Sequence, residues 1–316
     1  MLSSGLLAHL VDRHKGARFT IACGAQAAPL FDGVPGLERV IPIEKRAFGL
    51  HWIGLWARLV GRRYDLVVDL RASLIAYLLL ARERRVFRPD ARAGHRMRQL
   101  GAAFHLDSPP APRLWTLPRH QDEAARLIPA GLPVIALGPT ANWPGKVWPA
   151  DRFAKLAARL TATDGILPGA RVAVFAAVHE RDQAAAVGAA VPSGRLIDLA
   201  GRVDLLTAYA CLQRCAFFVG NDSGLMHLAA AAGVPTLGLF GPSKDELYAP
   251  WGEKAAAVRT DLSFDEILSR PGYDRHRTGT LMESLSVDKA EKASRDLWAR
   301  VIEQARVGAG ARPVSG

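Results

Sequence analysis

Cysteine is scarce: three residues, Cys23, Cys211 and Cys215, in a chain of 316. An odd and thinly spread set is no disulfide framework, and no pair has the spacing of zinc ligands. The sequence also lacks a long hydrophobic run. In the first part of the chain the stretch Leu74–Ala81 is about half of what a bilayer span needs. Met1–Leu10 has no basic start, no apolar segment of leader length and no cleavage site. A reducing, cytoplasmic setting is the expectation. Aromatic residues make up only 7% and do not interleave with the basic residues, so a base-stacking nucleic-acid platform is not expected. Two phosphate-binding signatures are missing as well. No G-x-x-x-x-G-K-[ST] occurs, which argues against a P-loop NTPase, and no G-x-G-x-x-G follows a strand, which argues against a nicotinamide dehydrogenase.

What is present describes a globular protein, with 49% hydrophobic and 22% charged residues and length for two domains. The net charge of +11 is lopsided. Residues 1–120 hold 19 Lys and Arg against 9 Asp and Glu, and the remainder is close to neutral. The densest basic run is Arg82, Arg84, Arg85, Arg88, Arg92, Arg96 and Arg98. Such a field draws polyanions, acidic lipid surfaces or phosphorylated substrates; a solvated arginine-rich face is the equal alternative. Short β-rich runs alternate with Ala/Leu-rich helical ones, the pattern of α/β layers around parallel sheets. Strands are predicted at Arg18–Cys23, Val40–Ile43, Tyr64–Leu70 and Arg85–Phe87, with helices at Gly5–His14, Leu50–Arg62 and Ser73–Arg82. The proline-rich stretch from Ser108 to Pro118 and a helix at Gln121–Ile128 precede a junction at Gly131 and Pro133. The alternation then restarts and runs to Phe240. Two doubly wound halves result, with ligands expected beyond the carboxyl ends of the strands.

The strongest local signal is residues 216–243, AFFVGNDSGLMHLAAAAGVPTLGLFGPS. It reads as buried strand, polar turn, helix, glycine stop and second buried strand. Asn221, Asp222 and Ser223 are all N-cap residue types, and Gly224 lets a ligand approach the backbone. The free amides and the positive dipole end of the helix suit a phosphate or diphosphate, with His227 one turn in. A plain capped helix with a core histidine is the other reading. A second cluster, ALGPTANWPGKVWPADRF at 136–153, sets Thr140, Asn142 and Lys146 in a loop after a strand. There a lysine can neutralise charge on a leaving diphosphate, or simply be solvated.

Together, K-x-W-P-x-x-x-F, the acidic residue of the VHERD turn and the NDSGLMHLAAAAGVPTLGLFGPS block resemble glycosyltransferase family 9. This is the family of bacterial ADP-heptose–lipopolysaccharide heptosyltransferases. The resemblance covers nearly the whole chain. It implies a glycosyltransferase-B fold: two Rossmann-like domains facing a cleft, the acceptor bound by residues 1–130 and the ADP-sugar by 131–285, with a C-terminal helix in 286–316 packing back on the first domain. It implies that Asp222, Ser223, Gly224 and Leu225 embrace the diphosphate and sugar, with His227 behind them. Lys146 would stabilise the leaving group, with Thr140 and Asn142 as loop partners. Glu180 would meet the ribose and Val203 the adenine. Transfer would be inverting, with no catalytic metal and no cofactor beyond the ADP-sugar substrate. The acceptor would be a phosphorylated glycolipid on an anionic membrane surface, placing the protein at the inner face of the cytoplasmic membrane.

Family members open with a strand and a G-D turn whose Asp is the general base. Here Met1-Leu2-Ser3-Ser4-Gly5 reads as the first helix, so the first strand and the base are expected to be missing. A start codon assigned too late would explain this, and a truncated protein is the alternative. Asp69, followed by Arg71 as a candidate contact for an acceptor phosphate, is the substitute carboxylate that residues 1–120 offer; a loop carboxylate paired with that arginine is the other reading. Arg275, His276, Arg277 and Thr278 fall in a loop facing either the cleft or solvent. A non-catalytic nucleotide-sugar binder and a nucleotide-sugar 2-epimerase remain the competing functions.

Overall fold

The computed structural model describes the chain apart from residues 45–46, 91, 93, 272, 275–278 and 311–316; Arg275, His276, Arg277 and Thr278 therefore lie outside the described residues. It divides into two compact units, Leu2–Leu117 and Pro118–Gly316.

The first unit comprises α1 (Ser4–Arg13), β1 (Phe19–Gly24), β2 (Leu37–Ile43), α2 (Leu50–Leu59), β3 (Arg63–Asp69), α3 (Ile75–Leu78), β4 (Leu80–Val86) and α4 (Arg96–Ala103). Its strands form two separate parallel pairs, β1–β2 and β3–β4. Among the described residues no strand joins them. Leu55 and Leu59 of α2, Ile75 and Leu79 at α3 and Ile41 of β2 share one small core. The helix predicted over Ser73–Arg82 is cut to a single turn. Leu80–Val86 pairs in register with Arg63–Asp69, and that ladder overrides the helical preference of Leu and Ala. Nor do the arginines of 82–98 form one uniform solvated face. Arg84 donates to the Ala76 and Leu79 carbonyls at 2.8 and 2.6 Å, holding the end of α3. Arg96 and Arg98 lie on α4, whose other face buries Met97 and Leu100.

The second unit contains α5 (Pro118–Leu127), β5 (Val134–Gly138), α6 (Ala150–Thr161), β6 (Arg171–Val174), α7 (Arg181–Ala189), β7 (Leu196–Asp198), α8 (Leu205–Leu212), β8 (Phe217–Asn221), α9 (Gly224–Ala231), β9 (Thr236–Phe240), α10 (Asp245–Tyr248), β10 (Ala255–Arg259), α11 (Phe264–Leu268) and α12 (Val287–Gly310). Six parallel strands run in the order β10-β9-β8-β5-β6-β7. β5, β8 and β9 are buried along their whole length. That is why these segments read as continuous apolar runs rather than alternating ones. Helix α6 buries Phe153, Leu156, Ala157 and Leu160, the i, i+3, i+4, i+7 stripe of a helix lying on a sheet.

Two boundaries differ from the sequence reading. Helix α5 groups with the second unit, since Arg214 donates to the Ile128 carbonyl and Gln121 bonds Gln213. The C-terminal helix was expected against the first domain. Its apolar stripe, Ala290, Leu297 and Val301, instead lies in the core of the second unit with Phe153 and Val258. All three cysteines are free thiols, Cys211 and Cys215 buried. Among the described residues no helix is long and apolar enough to cross a bilayer.

Candidate active site

From β5 the chain winds outward through β6 and β7, then returns to place β8, β9 and β10 on the other side of β5. The reversal falls between β5 and β8. Loops leaving neighbouring strands there diverge and open a crevice beyond the carboxyl ends. Lys146 comes from the loop after β5 and Asp222 from the turn after β8. They meet across this gap, the Lys146 Nζ donating to Asp222 Oδ2 at 2.5 Å. The carboxylate side chain is 9% exposed and the lysine 23%.

Asn221 sets the distance between the two loops. It is fully buried at the end of β8. Its Oδ1 accepts from the Trp148 backbone N–H at 3.1 Å and its Nδ2 donates to the Pro139 carbonyl at 2.8 Å. Trp148, equally buried, donates its indole N–H to the Leu285 carbonyl at 2.9 Å. The Trp-Pro pair therefore fixes the loop that carries Lys146. Asn221, one of three cap candidates in the sequence, caps nothing: it is a strap between loops.

Ser223 holds the N-cap position of α9, yet its side chain makes no cap hydrogen bond, and its Oγ is buried without a hydrogen-bond partner. The first amides of α9 thus receive no side-chain acceptor from their cap, and with the helix dipole they favour an anion. Gly224 follows, and a Cβ built there meets nothing within 4 Å. Leu225 is half-buried behind it. Gly224→Ala is expected not to lower the unfolding temperature and to raise it by no more than about 2–4 °C, since a helical Gly→Ala change is worth only about 1 kcal/mol. The methyl group instead enters the space of a bound ligand. Titration calorimetry with a nucleoside diphosphate checks this: loss of binding at undiminished stability supports the anion site, and wild-type affinity counts against it.

On one side of the Lys146–Asp222 pair lies a cavity of about 470 Å³, walled by Trp143, His227, Ser243, Lys244, Tyr248 and Phe264. Lys244 stands over the Phe264 ring at 5.1 Å. The sequence block 216–243 ends at Ser243 and so stops one residue short of Lys244, although the position of this loop after a buried strand was the available signal. On the other side, Thr140 Oγ1 donates to Glu180 Oε2 at 2.7 Å, and Glu180 Oε2 also accepts from the Ala177 N–H. The main chain of Ala141 donates to Gln183. Val203 is half-buried in the loop after β7. That loop touches the Glu180 turn at Gly201: its φ is +66°, and a Cβ there would stand 3.0 Å from Val178 Cα, so both backbone and space require glycine. Asn142 is exposed and marks the rim.

The order of strands therefore puts the candidates in a row: Lys244 after β9, Asp222–Gly224 after β8, Lys146 and Thr140 after β5, Glu180 after β6, Val203 after β7. At about 4.8 Å per strand the row extends roughly 20 Å, enough for a sugar, a diphosphate and a nucleoside end to end.

Asp69 belongs to the first unit, not to the sheet that carries this row. In the first unit its carboxylate accepts from Arg71 N–H at 2.8 Å and from Ser73 N–H and Oγ at 2.6 and 2.7 Å. It is a turn-holding group whose lone pairs are engaged by its own loop, which argues against the substitute-base reading. Among the described residues no three His, Cys, Asp or Glu side chains cluster as metal ligands.

The family model of glycosyltransferase family 9 (heptosyltransferase) matches residues 76–270. The chain belongs to glycosyltransferase family 9. Its relatives include lipooligosaccharide heptosyltransferase 2 of Haemophilus influenzae, 33% identical over 49% of this chain and 44% of that one. The matched segment is thus under half of that relative's length. Among solved structures it resembles E. coli ADP-heptose LPS heptosyltransferase II, with TM-score 0.70, 21% identity and 95% of both chains covered. The family 9 glycosyltransferase of Veillonella parvula gives TM-score 0.75 at 18% identity, over 94% of this chain and 93% of that one. These likenesses establish the glycosyltransferase-B architecture of Rossmann-like α/β domains.

Proposed function

We propose that this chain transfers a heptose from ADP-heptose to a glycolipid acceptor of the lipopolysaccharide core, with inversion at the anomeric carbon. The observation that carries the reading is the Lys146–Asp222 pair at the uncapped start of α9, on the switch point of a six-stranded parallel sheet. The donor lies along the row of loop residues. Adenine rests near Val203, the ribose hydroxyls meet Glu180 with Thr140 beside it, and the diphosphate sits on the α9 amides. The sugar enters the cavity, with Asp222, Leu225 and His227 around it.

An acceptor hydroxyl oxygen attacks the anomeric carbon as the bond to the β-phosphate oxygen breaks, and the hydroxyl proton leaves to a base. Negative charge grows on the departing diphosphate. Lys146 and the helix amides are preorganised for it, which lowers the barrier more than it tightens the ground state. In this reading protein donors rather than a metal ion carry that charge. The base is not assigned; Asp222, the one carboxylate among the described residues that wall the cavity, is taken up by Lys146. The excess of positive charge in residues 1–120 suits a phosphorylated acceptor held at the anionic inner face of the cytoplasmic membrane.

ADP is expected to raise the unfolding temperature and GDP and UDP to leave it unchanged, because a ligand at a hundred times its Kd adds about 2.7 kcal/mol to the folded state. Transfer of sugar from ADP-heptose to a core glycolipid then follows by mass spectrometry of the product. No stabilisation by ADP, or equal stabilisation by all three, would overturn the donor assignment.

A further inference from the structure

The chain has thirteen large hydrophobic residues exposed to solvent among the described residues, and nine of them fall between Phe48 and Leu80. This is a concentration, not the scattering that ordinary surfaces show. Helix α2 supplies three of the nine, and Phe48 and Val60 flank it. Its Leu55 and Leu59 are buried in the small core of the first unit. Leu50, Ile53 and Trp56 are spaced at i, i+3 and i+6, hence within about a third of the helix circumference. Ile53 is 63% exposed and Trp56 37%. Phe48, just before the helix, is wholly exposed at a positive φ of 53°. Tyr77 and Leu78 of α3 are exposed too, on a helix whose Ile75 and Leu79 share that same core. A helix apolar on two faces belongs in an apolar surrounding. Here only one of those faces is covered by the protein.

Charge indicates the occupant. From Ala47 to Arg88 the chain carries eight arginines against three carboxylates, and one of these, Asp69, is engaged by its own loop. Arg58 and Arg63 flank the exposed stripe and are themselves exposed, while Arg62 between them is ion-paired with Glu38 at 2.8 Å. A second copy docking through this face would set arginines against arginines across a two-fold axis. A bilayer with anionic headgroups meets both demands, apolar side chains entering the acyl boundary and guanidinium groups resting among phosphates. Tryptophan favours that interface in particular.

We infer that the exposed stripe of α2, with Phe48 before it and α3 beside it, is the surface by which the protein docks on anionic phospholipid membranes. The inference rests on the proposed glycolipid acceptor and says where the enzyme meets the membrane holding it. The test is co-sedimentation of the full chain with phosphatidylcholine vesicles, with and without phosphatidylglycerol. The wild type is expected to bind the anionic vesicles and to bind less as salt rises. The variant carrying Ile53→Ser and Trp56→Ser is expected to bind about tenfold more weakly or less, from the lost apolar insertion. Ile53 is largely exposed and Trp56 partly covered, so circular dichroism and the unfolding temperature establish that the variant is folded before its binding is compared, and Ile53→Ser alone is expected to weaken binding in the same direction.

Undiminished vesicle binding by the folded variant would overturn the inference. So would a wild-type dimer in light scattering that the two substitutions dissociate while vesicle binding stays as before, since the face would then cover a second copy. Turnover on an acceptor stripped of its acyl chains separates this from the function itself. The variant should transfer sugar to it as fast as the wild type, whereas a wild type that transfers none would refute the proposed reaction and leave the vesicle result standing.

Discussion

Lys146→Ala is expected to lower kcat by about two orders of magnitude or more, the usual cost of deleting one donor aimed at charge that develops in the transition state. The geometry adds a second consequence. Without the ammonium, the Asp222 carboxylate, 9% exposed in its pair with Lys146, is left unpaired beside the place proposed for a diphosphate. Anion would face anion in a partly desolvated crevice, so KM should rise as well as kcat fall. The double variant Lys146→Ala, Asp222→Ala separates the two. Removing the carboxylate relieves the repulsion and should restore much of the ADP affinity, while kcat stays low because nothing replaces the cation. Steady-state kinetics with calorimetry of ADP binding reads both effects. If kcat for Lys146→Ala stayed within threefold of wild type, Lys146 would be a solvated loop lysine, and the proposed leaving-group role would be lost.

How much of this could be read from the sequence depends on which force fixes each element. Strands β5, β8 and β9 were legible because burial on both faces leaves unbroken apolar runs bounded by glycine and polar turns. Lys146 and Asp222 were legible one at a time, each at the end of such a strand. Their contact was not, because it depends on β8 lying next to β5, which brings together residues 76 positions apart, and no local pattern encodes that. The same holds for Lys244, which matters only because β9 neighbours β8. Asp69 showed its type but not its three local hydrogen bonds. Helix α12 carried a clear amphipathic stripe, but a stripe states that a face is buried and not against what. At α3 the local signal was misleading: Leu and Ala at helical spacing gave way to pairing with β3, a non-local term.

Asn221→Ala is expected to cost the second unit several kcal/mol, more than any exposed residue of the site would. The side chain is fully buried and satisfies two backbone groups on a loop from another strand, the Trp148 N–H and the Pro139 carbonyl. Alanine leaves both without that partner, and each unsatisfied buried group costs about 1–3 kcal/mol. For a unit of this size that is a fall in unfolding temperature of roughly 5–15 °C. Asn221→Asp makes the comparison sharper. An aspartate oxygen can still accept from Trp148, but its other oxygen would face the Pro139 carbonyl, and a new negative charge would sit in the core next to Asp222. It should therefore be no better than alanine despite keeping nearly the same shape. Activity below the melting range should drop for both, with Lys146 present, because the loop that carries the ammonium is no longer tied to the strand that carries Asp222. Retention of wild-type melting and turnover by Asn221→Ala would mean that the loop is held by Trp148 packing alone, and the strap between β5 and β8 would have no energetic weight.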